Sequence, residues 1–205
     1  MNAPESRIEI PTVPGTPYGG GFYAERIIDC GHLFAIIVAP KAEGEYKPAR
    51  WNKNLKSIAG AQSYSDGLSN TRAMAKAGSE IAKWALGLRI GGFDDWHIPA
   101  RDQGEILYRV LKPGTGKNYC NLRDGDNPSS VPPGYPYTPD LPAQTIVPAF
   151  QEGGAEAFEL GWYWTSTEYA PGPDVAYVQF FYGGNQFFNL KVNLCRARAV
   201  RMIKL

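Results

Sequence analysis

The residues best suited to chemistry lie near the C-terminus, in two β-like runs that reverse at Gly183-Gly184. With a period of two, the run Val175 to Tyr182 places Ala176, Val178 and Phe180 on one face and Tyr177, Gln179 and Phe181 on the other. The run Gln186 to Leu194 places Phe188, Leu190, Val192 and Leu194 on one face and Phe187, Asn189, Lys191 and Asn193 on the other. The more aliphatic sets are expected to face the core. Tyr177, Gln179, Phe181, Phe187, Asn189, Lys191 and Asn193 are then the candidate binding face. Aromatic faces pack on sugar rings or on a partner, and amides both donate and accept. The chemistry of such a set is recognition without bond-making, of a protein or of a glycan. The competing expectation is that a Pro-rich segment upstream covers this face and nothing external binds.

Other polar groups carry weaker signals. Residues 175–205 contain no Asp or Glu but carry Lys191, Arg196, Arg198, Arg201 and Lys204. Such a run can attract an anionic partner, but is expected to pair with acids elsewhere, Asp94, Asp95 or Glu168 among them. Asp124-Gly125-Asp126-Asn127 is rich in oxygen, yet the full calcium-loop spacing and its distal Glu are absent, so a polar turn is expected and no metal. Thr165-Ser166-Thr167 has no neighbouring His and no nucleophile elbow, so no catalytic residue is assigned. Cys30, Cys120 and Cys195 are odd in number and widely spaced, which fits reduced thiols better than a disulfide framework or a zinc site. No cofactor is expected.

The elements that must position these groups follow from composition and periodicity. Of 205 residues, 23 are Gly and 17 are Pro, about a fifth of the chain, where about 12% is usual. A hydrophobic fraction of 43% excludes a disordered chain, a net charge of +1 gives no support for nucleic-acid binding, and no apolar run is long enough to span a membrane. The excess Gly and Pro falls in two places. Residues 1–21 form an extended arm with four Pro, and residues 112–160 form an excursion with eight Pro and six Gly. Between and after them lie the periodic elements of a single domain, 22–205. A hairpin is predicted over 22–40, turning at Cys30-Gly31. One helix is predicted over 69–88, with Met74, Ala77, Ile81, Trp84 and Leu88 as its apolar stripe and Ser69 or Asn70 as its cap. A second helix is predicted from Pro99 to Leu111, and β structure from 161 to the end.

Three segments carry a family likeness: Gly92-Phe93-Asp94-Asp95-Trp96-His97-Ile98-Pro99, Gly161-Trp162-Tyr163-Trp164-Thr165-Ser166-Thr167-Glu168, and Arg198-Ala199-Val200-Arg201. Their order around the second helix and the terminal hairpin resembles the Lcl C-terminal domain family (DUF1566), over roughly residues 60–203. The usual family pattern is G-x-x-D-W-R-L-P, then a helix, then W-S-S-T-E, then V-R-C-V-R. His97 stands where Arg is usual, Ala100 where Thr or Ser would cap the helix, and Ala199 where Cys is usual. The resemblance implies an α+β, C-type-lectin-like fold: two helices on a small twisted antiparallel sheet, a long loop region, and termini drawn together by the first and last strands. Trp96 and Trp164, which sit in these motifs, are most simply expected to be core anchors. Members occur in phage structural proteins and on bacterial surfaces, and the family does not imply an enzyme. The expectation is therefore a non-enzymatic virion component, made in the host cytoplasm without a secretory leader. It would bind other structural subunits, copies of itself, or a host receptor, and the arm would hook onto a neighbour. The alternative is a free-standing lectin for a host-surface glycan, or a bacterial adhesin.

Overall fold

The computed structural model describes residues 9–121 and 124–205. Within the N-terminal arm, β1 (Pro17–Tyr18) pairs antiparallel with β2 (Gly21–Asp29). Gly15 N–H donates to Tyr23 O at 2.7 Å and Tyr23 N–H to Thr16 O at 2.9 Å. From Ile10 onward the arm thus lies on its own domain, with Ile10 and Tyr18 against a buried cluster around Trp96. Strand β2 turns into β3 (His32–Val38) through Cys30 (φ 46°) and Gly31 (φ 75°). Two successive positive φ values define the type I′ turn that matches the twist of a hairpin, as the sequence predicts. A short α1 (Lys41–Gly44) leads into β4 (Glu45–Ala49).

The first predicted helix is two. Helix α2 (Gly67–Lys76) stops at Ala77, and α3 (Glu80–Gly87) restarts after Gly78 (φ 94°). Ser79 caps the new helix, its hydroxyl accepting from Ala82 N–H at 3.4 Å. The cap of α2 is Asp66, which accepts from Ser69 N–H at 2.8 Å, three residues before the expected position. Helix α4 (Arg101–Leu111) starts two residues after the predicted Pro99 and ends at Leu111 as predicted, and its missing cap side chain is replaced from elsewhere. Thr167 Oγ1 accepts from Arg101 N–H at 3.0 Å, and Gln103 Oε1 reaches back to Ala100 N–H at 2.7 Å.

The Pro-rich excursion folds back on the domain. It contributes β5 (Ser130–Val131), paired with β2, and a 3-10 turn at Pro148–Phe150. Tyr137, Phe150 and Phe158 bury their rings beside Ile106 and Leu107 of α4. Its polar ties run to the same helix. Tyr137 Oη donates to Glu105 Oε1 at 2.7 Å, Asn127 Nδ2 donates to Glu105 Oε2 at 2.6 Å, and Arg109, paired to Glu105 at 2.9 Å, also reaches Ser130.

The chain closes with β6 (Trp162–Glu168), β7 (Val175–Phe180), β8 (Gln186–Leu190), β9 (Cys195–Arg198) and β10 (Val200–Lys204). Two sheets result. One has the order β1-β2-β3-β10, with β5 on β2, and the other the order β4-β9-β6-β7-β8. All pairings are antiparallel except β6 with β9. Helix α4 lies between the sheets, joining Ile27, Ile36 and Val38 to Tyr163 and Phe181 in one core. Helices α2 and α3 cover the other face of the second sheet, where Trp51, Met74 and Ile81 meet Trp164, Ala176 and Val178. The architecture is α+β, with few helices and curled, mostly antiparallel sheets. Among the described residues no helix is long and apolar enough to cross a membrane.

Candidate functional site

The β7–β8 register decides where the candidate residues go. Tyr177 stands opposite Phe188, Val178 opposite Phe187, and Gln179 opposite Gln186. Opposed residues of an antiparallel pair share a face. Tyr177, Gln179 and Phe181 therefore share a face with Phe188, while Phe187 and Asn189 lie on the other face, with Val178 and Ala176. The expected grouping is off by one residue, which exchanges the two faces of β8.

Burial corrects the expectation further. Gln179 and Phe181 are buried beneath α4. The Gln179 amide donates to Gly184 O at 2.8 Å, and the neighbouring Gln186 amide donates to Arg101 O at 2.7 Å. Polar groups are tolerated under a helix when they are bonded in this way, although Gln179 Oε1 is buried without a partner. Lys191 lies beyond the strand and is fully buried, its Nζ 2.6 Å from Glu168 Oε2. Asn193 is exposed in a turn, where it donates to Asn189 Oδ1 at 2.6 Å. Phe188, Leu190 and Leu194, expected in the core, are instead 36%, 42% and 64% exposed. The structure does not bring the seven predicted residues together. It keeps Tyr177 and Phe187 at the surface and gives them other neighbours.

Those neighbours form a continuous row of rings. Tyr64 meets Tyr177 edge-on at 5.7 Å, Tyr177 meets Tyr169 edge-on at 5.5 Å, Tyr169 stacks on Phe188 at 4.6 Å, and Phe188 stacks on Phe187 at 4.5 Å. Phe187 is 45% exposed, and Leu190 extends the apolar surface. At the far end of the row, Arg101 Cζ lies 4.8 Å from the Tyr64 ring centre and 4.9 Å from that of Tyr177. The hydroxyls of Tyr64 and Tyr177 are 3.0 Å apart. Tyr64, Tyr169 and Phe188 were not among the predicted residues. Tyr64 and Tyr169 lie in turn regions without period, and only the register reveals Phe188.

Strand β8 is a sheet edge whose backbone is already occupied at both ends. Phe180 N–H donates to Asn185 O and Lys191 N–H to Asp174 O, so by alternation Gln186, Phe188 and Leu190 point their backbone outward. Gln186 N–H donates to Asp124 Oδ1 at 3.0 Å, Leu190 N–H to Asn189 Oδ1 at 3.0 Å, and Leu190 O accepts from Asn193 N–H at 2.9 Å. An edge closed in this way resists strand addition. What it offers is side chains.

The remaining candidates are structural. Arg201 pairs with Asp95 at 2.6 Å, Arg198 with Glu156 at 2.7 Å, and Arg196 with Glu45 at 3.3 Å, so with Lys191 four cations of the acid-free run are held by acids from elsewhere in the chain. In the Asp124–Asn127 segment, both Asp124 oxygens accept backbone N–H groups, from Gln186 and Asn121, and Asn127 bonds to α4. Among the described residues no group of three or more His, Cys, Asp or Glu could hold a metal ion. Thr165, Ser166 and Thr167 are buried, and Thr165 Oγ1 donates to Tyr177 O at 3.0 Å. Trp96 and Trp164 are buried core anchors, as expected. The three cysteines are unbridged, and burial pushes the Cys195 thiol up to about 11. Burial also raises the Asp102 carboxyl to about 7, despite the bond it accepts from Ser129 at 2.7 Å.

In comparison with known proteins, no family model matches the chain, and no curated protein matches it.

Proposed function

We propose that the chain is a non-enzymatic binding domain of C-type-lectin-like fold, a structural component of a phage virion. It holds a protein partner, either a neighbouring subunit or a host receptor, through the β7–β8 edge. The observation that carries this reading is the row Tyr177–Tyr169–Phe188–Phe187, packed ring to ring, with the two tyrosines half-buried and the two phenylalanines exposed. Exposed aromatic clusters of this kind mark contact surfaces, and aromatic anchors dominate interface energetics. Phe187, Phe188 and Leu190 carry no polar side-chain atoms, which favours an apolar protein surface over a glycan at this end. The virion setting rests on the three motifs that resemble the Lcl C-terminal family. Strands β1 and β10 form opposite edges of one sheet, and Arg201 of β10 donates to Gly19 O beside β1; a lectin-like fold, which draws its first and last strands together, is supported to that extent.

Purified particles from the producing host are expected to contain the chain. Phe187→Ser with Phe188→Ser changes two exposed rings and is expected to release the chain from particles without lowering its melting temperature by more than a few degrees. Wild-type particles lacking the chain overturn the virion assignment. Full retention of the double variant overturns the role given to the edge. The second reading, a free-standing carbohydrate-binding lectin or bacterial adhesin, draws on the other end of the row, where phenol rings and a cation replace the phenylalanines.

A further inference from the structure

Arg101, at the start of α4, is 4% exposed. Its guanidinium lies against the Tyr64 and Tyr177 rings, as described above. Among the described residues no carboxylate lies within ion-pair distance of it. Its Nε is sealed from solvent without a hydrogen-bond partner. The other buried arginines are not left so. Arg109 has Glu105, Arg198 has Glu45 and Glu156, and Arg201 has Asp95. The buried Lys191 has Glu168, and Lys112 has three oxygen acceptors. Among the described residues Arg101 is the exception, the other buried cations named here being paired.

A desolvated guanidinium without an anion is unfavourable, and two ring faces recover only part of the loss. The cost is tolerated when the missing anion arrives as a ligand. We propose that Arg101, Tyr64 and Tyr177 form a binding site for the carboxylate of an acidic saccharide. The guanidinium presents paired N–H donors that fit a carboxylate in the fork geometry. Nε is the only nitrogen of the three both sealed and unpartnered, so the two Nη atoms mark the side a ligand approaches. A pyranose has an apolar C–H face for a tyrosine ring and hydroxyls for the two phenolic oxygens. An Asp or Glu side chain offers the charge without the ring. A single unpaired cation also matches a monovalent carboxylate better than a phosphate dianion.

The site rests on reading this face as the contact surface, but the two fail separately. The particle experiment reads Phe187 and Phe188, and saccharide binding reads Arg101. The intact protein is titrated calorimetrically with trigalacturonate and 3′-sialyllactose, with the methyl ester and lactose as neutral counterparts. At least one acid is expected to bind, about tenfold or more tighter than its neutral counterpart, and Arg101→Gln is expected to weaken it by about tenfold or more. Arg101→Lys is expected to fall between. In the unmodified protein, the Arg101 Nε–H resonance is expected to shift on titration, a readout that needs no variant to fold. The proposal is overturned if neither acid binds at millimolar concentration, if the neutral sugars bind equally, or if the Arg101 resonance does not move. A hexaglutamate peptide bound as tightly as the saccharides overturns it in favour of an acidic protein surface.

Discussion

Glu168 and Lys191 show how little a residue's type reveals of its place. Both are fully buried and 2.6 Å apart. Burial pushes the Glu168 carboxyl up, but bonds from Lys191, Ser57, Gln62 and the Ile58 N–H outweigh it and hold the carboxyl below its ordinary value. The pair ties the 56–62 segment to the end of β6, since Lys191 Nζ also donates to Lys56 O at 3.0 Å. Removing one partner strands the other charge. Lys191→Met is expected to cost about 3–5 kcal/mol in urea unfolding, and adding Glu168→Gln to recover part of that. A cost below about 1 kcal/mol would show the pair to be solvated. His97 gives a second residue-scale prediction. Burial lowers its pKa, its Nδ1 lies 3.1 Å from Asp95 O, and its Nε2 has no partner, which describes a neutral ring donating from Nδ1. The unfolded ring takes a proton near pH 6.5 and the folded one resists it, so the unfolded state binds more protons below that pH. Stability is therefore expected to fall as pH drops below about 6.5. Thermal melts from pH 7 to 5 should show a shallower decline for His97→Asn.

At the scale of elements, local signals were legible where a turn or a cap is local. The left-handed pair Cys30-Gly31 fixed the first hairpin, and Pro99 marked the start of α4. The break between α2 and α3 was missed because the apolar stripe continues across it, Met74 and Ile81 both joining the same core cluster. Gly78 and Ser79 carried the signal, a positive-φ glycine followed by a capping hydroxyl. Ser79→Ala is expected to cost about 1 kcal/mol, measured by chemical denaturation. The faces of β7 and β8 were misjudged for a different reason. Alternation was read correctly within each strand, but the offset between strands depends on the turn, and the turn after Phe180 spans Phe181 to Asn185 rather than two glycines alone. Nor could alternation reveal that the amide face would be the buried one. That follows from the first turn of α4 lying over it, where Arg101 O accepts the Gln186 amide, and from the turn after β7, where Gly184 O accepts the Gln179 amide. The same long-range logic replaces the cap lost at Ala100. Thr167 Oγ1 accepts from Arg101 N–H and donates to Ser63 O at 2.8 Å, so Thr167→Val is expected to cost about 1–3 kcal/mol and to speed hydrogen exchange at the Arg101 amide.

At the scale of the molecule, the chain cannot close until its last residues are in place. Strand β10 completes the first sheet by pairing with β3 from Val200↔Val38 to Lys204↔Phe34. Val200 also exchanges backbone bonds with His97, its N–H donating to His97 O at 2.9 Å and its O accepting from His97 N–H at 2.8 Å. Arg201 reaches two separate segments: Gly19 O at 3.0 Å in the arm, and Asp95 together with the Phe93 ring, at 3.7 Å, before α4. The arm is held by the same strand, since Gly19 O is one of those contacts. It was expected to be independent because Pro and Gly dominate it, yet its polar backbone finds partners in β2 and its Ile10 and Tyr18 find a core. Deletions should therefore act unequally. Removing residues 1–20 strips β1 and the Arg201–Gly19 bond and is expected to lower it by roughly 5 °C or more, taking each lost kcal/mol as a few degrees. Removing residues 200–205 deletes an edge strand, a bridge and an ion pair together, and is expected to abolish cooperative unfolding altogether. Circular dichroism melts of the two truncations check the ranking. A 1–20 deletion that melts like the full chain would return the arm to the role of an independent hook, free to bind a neighbour.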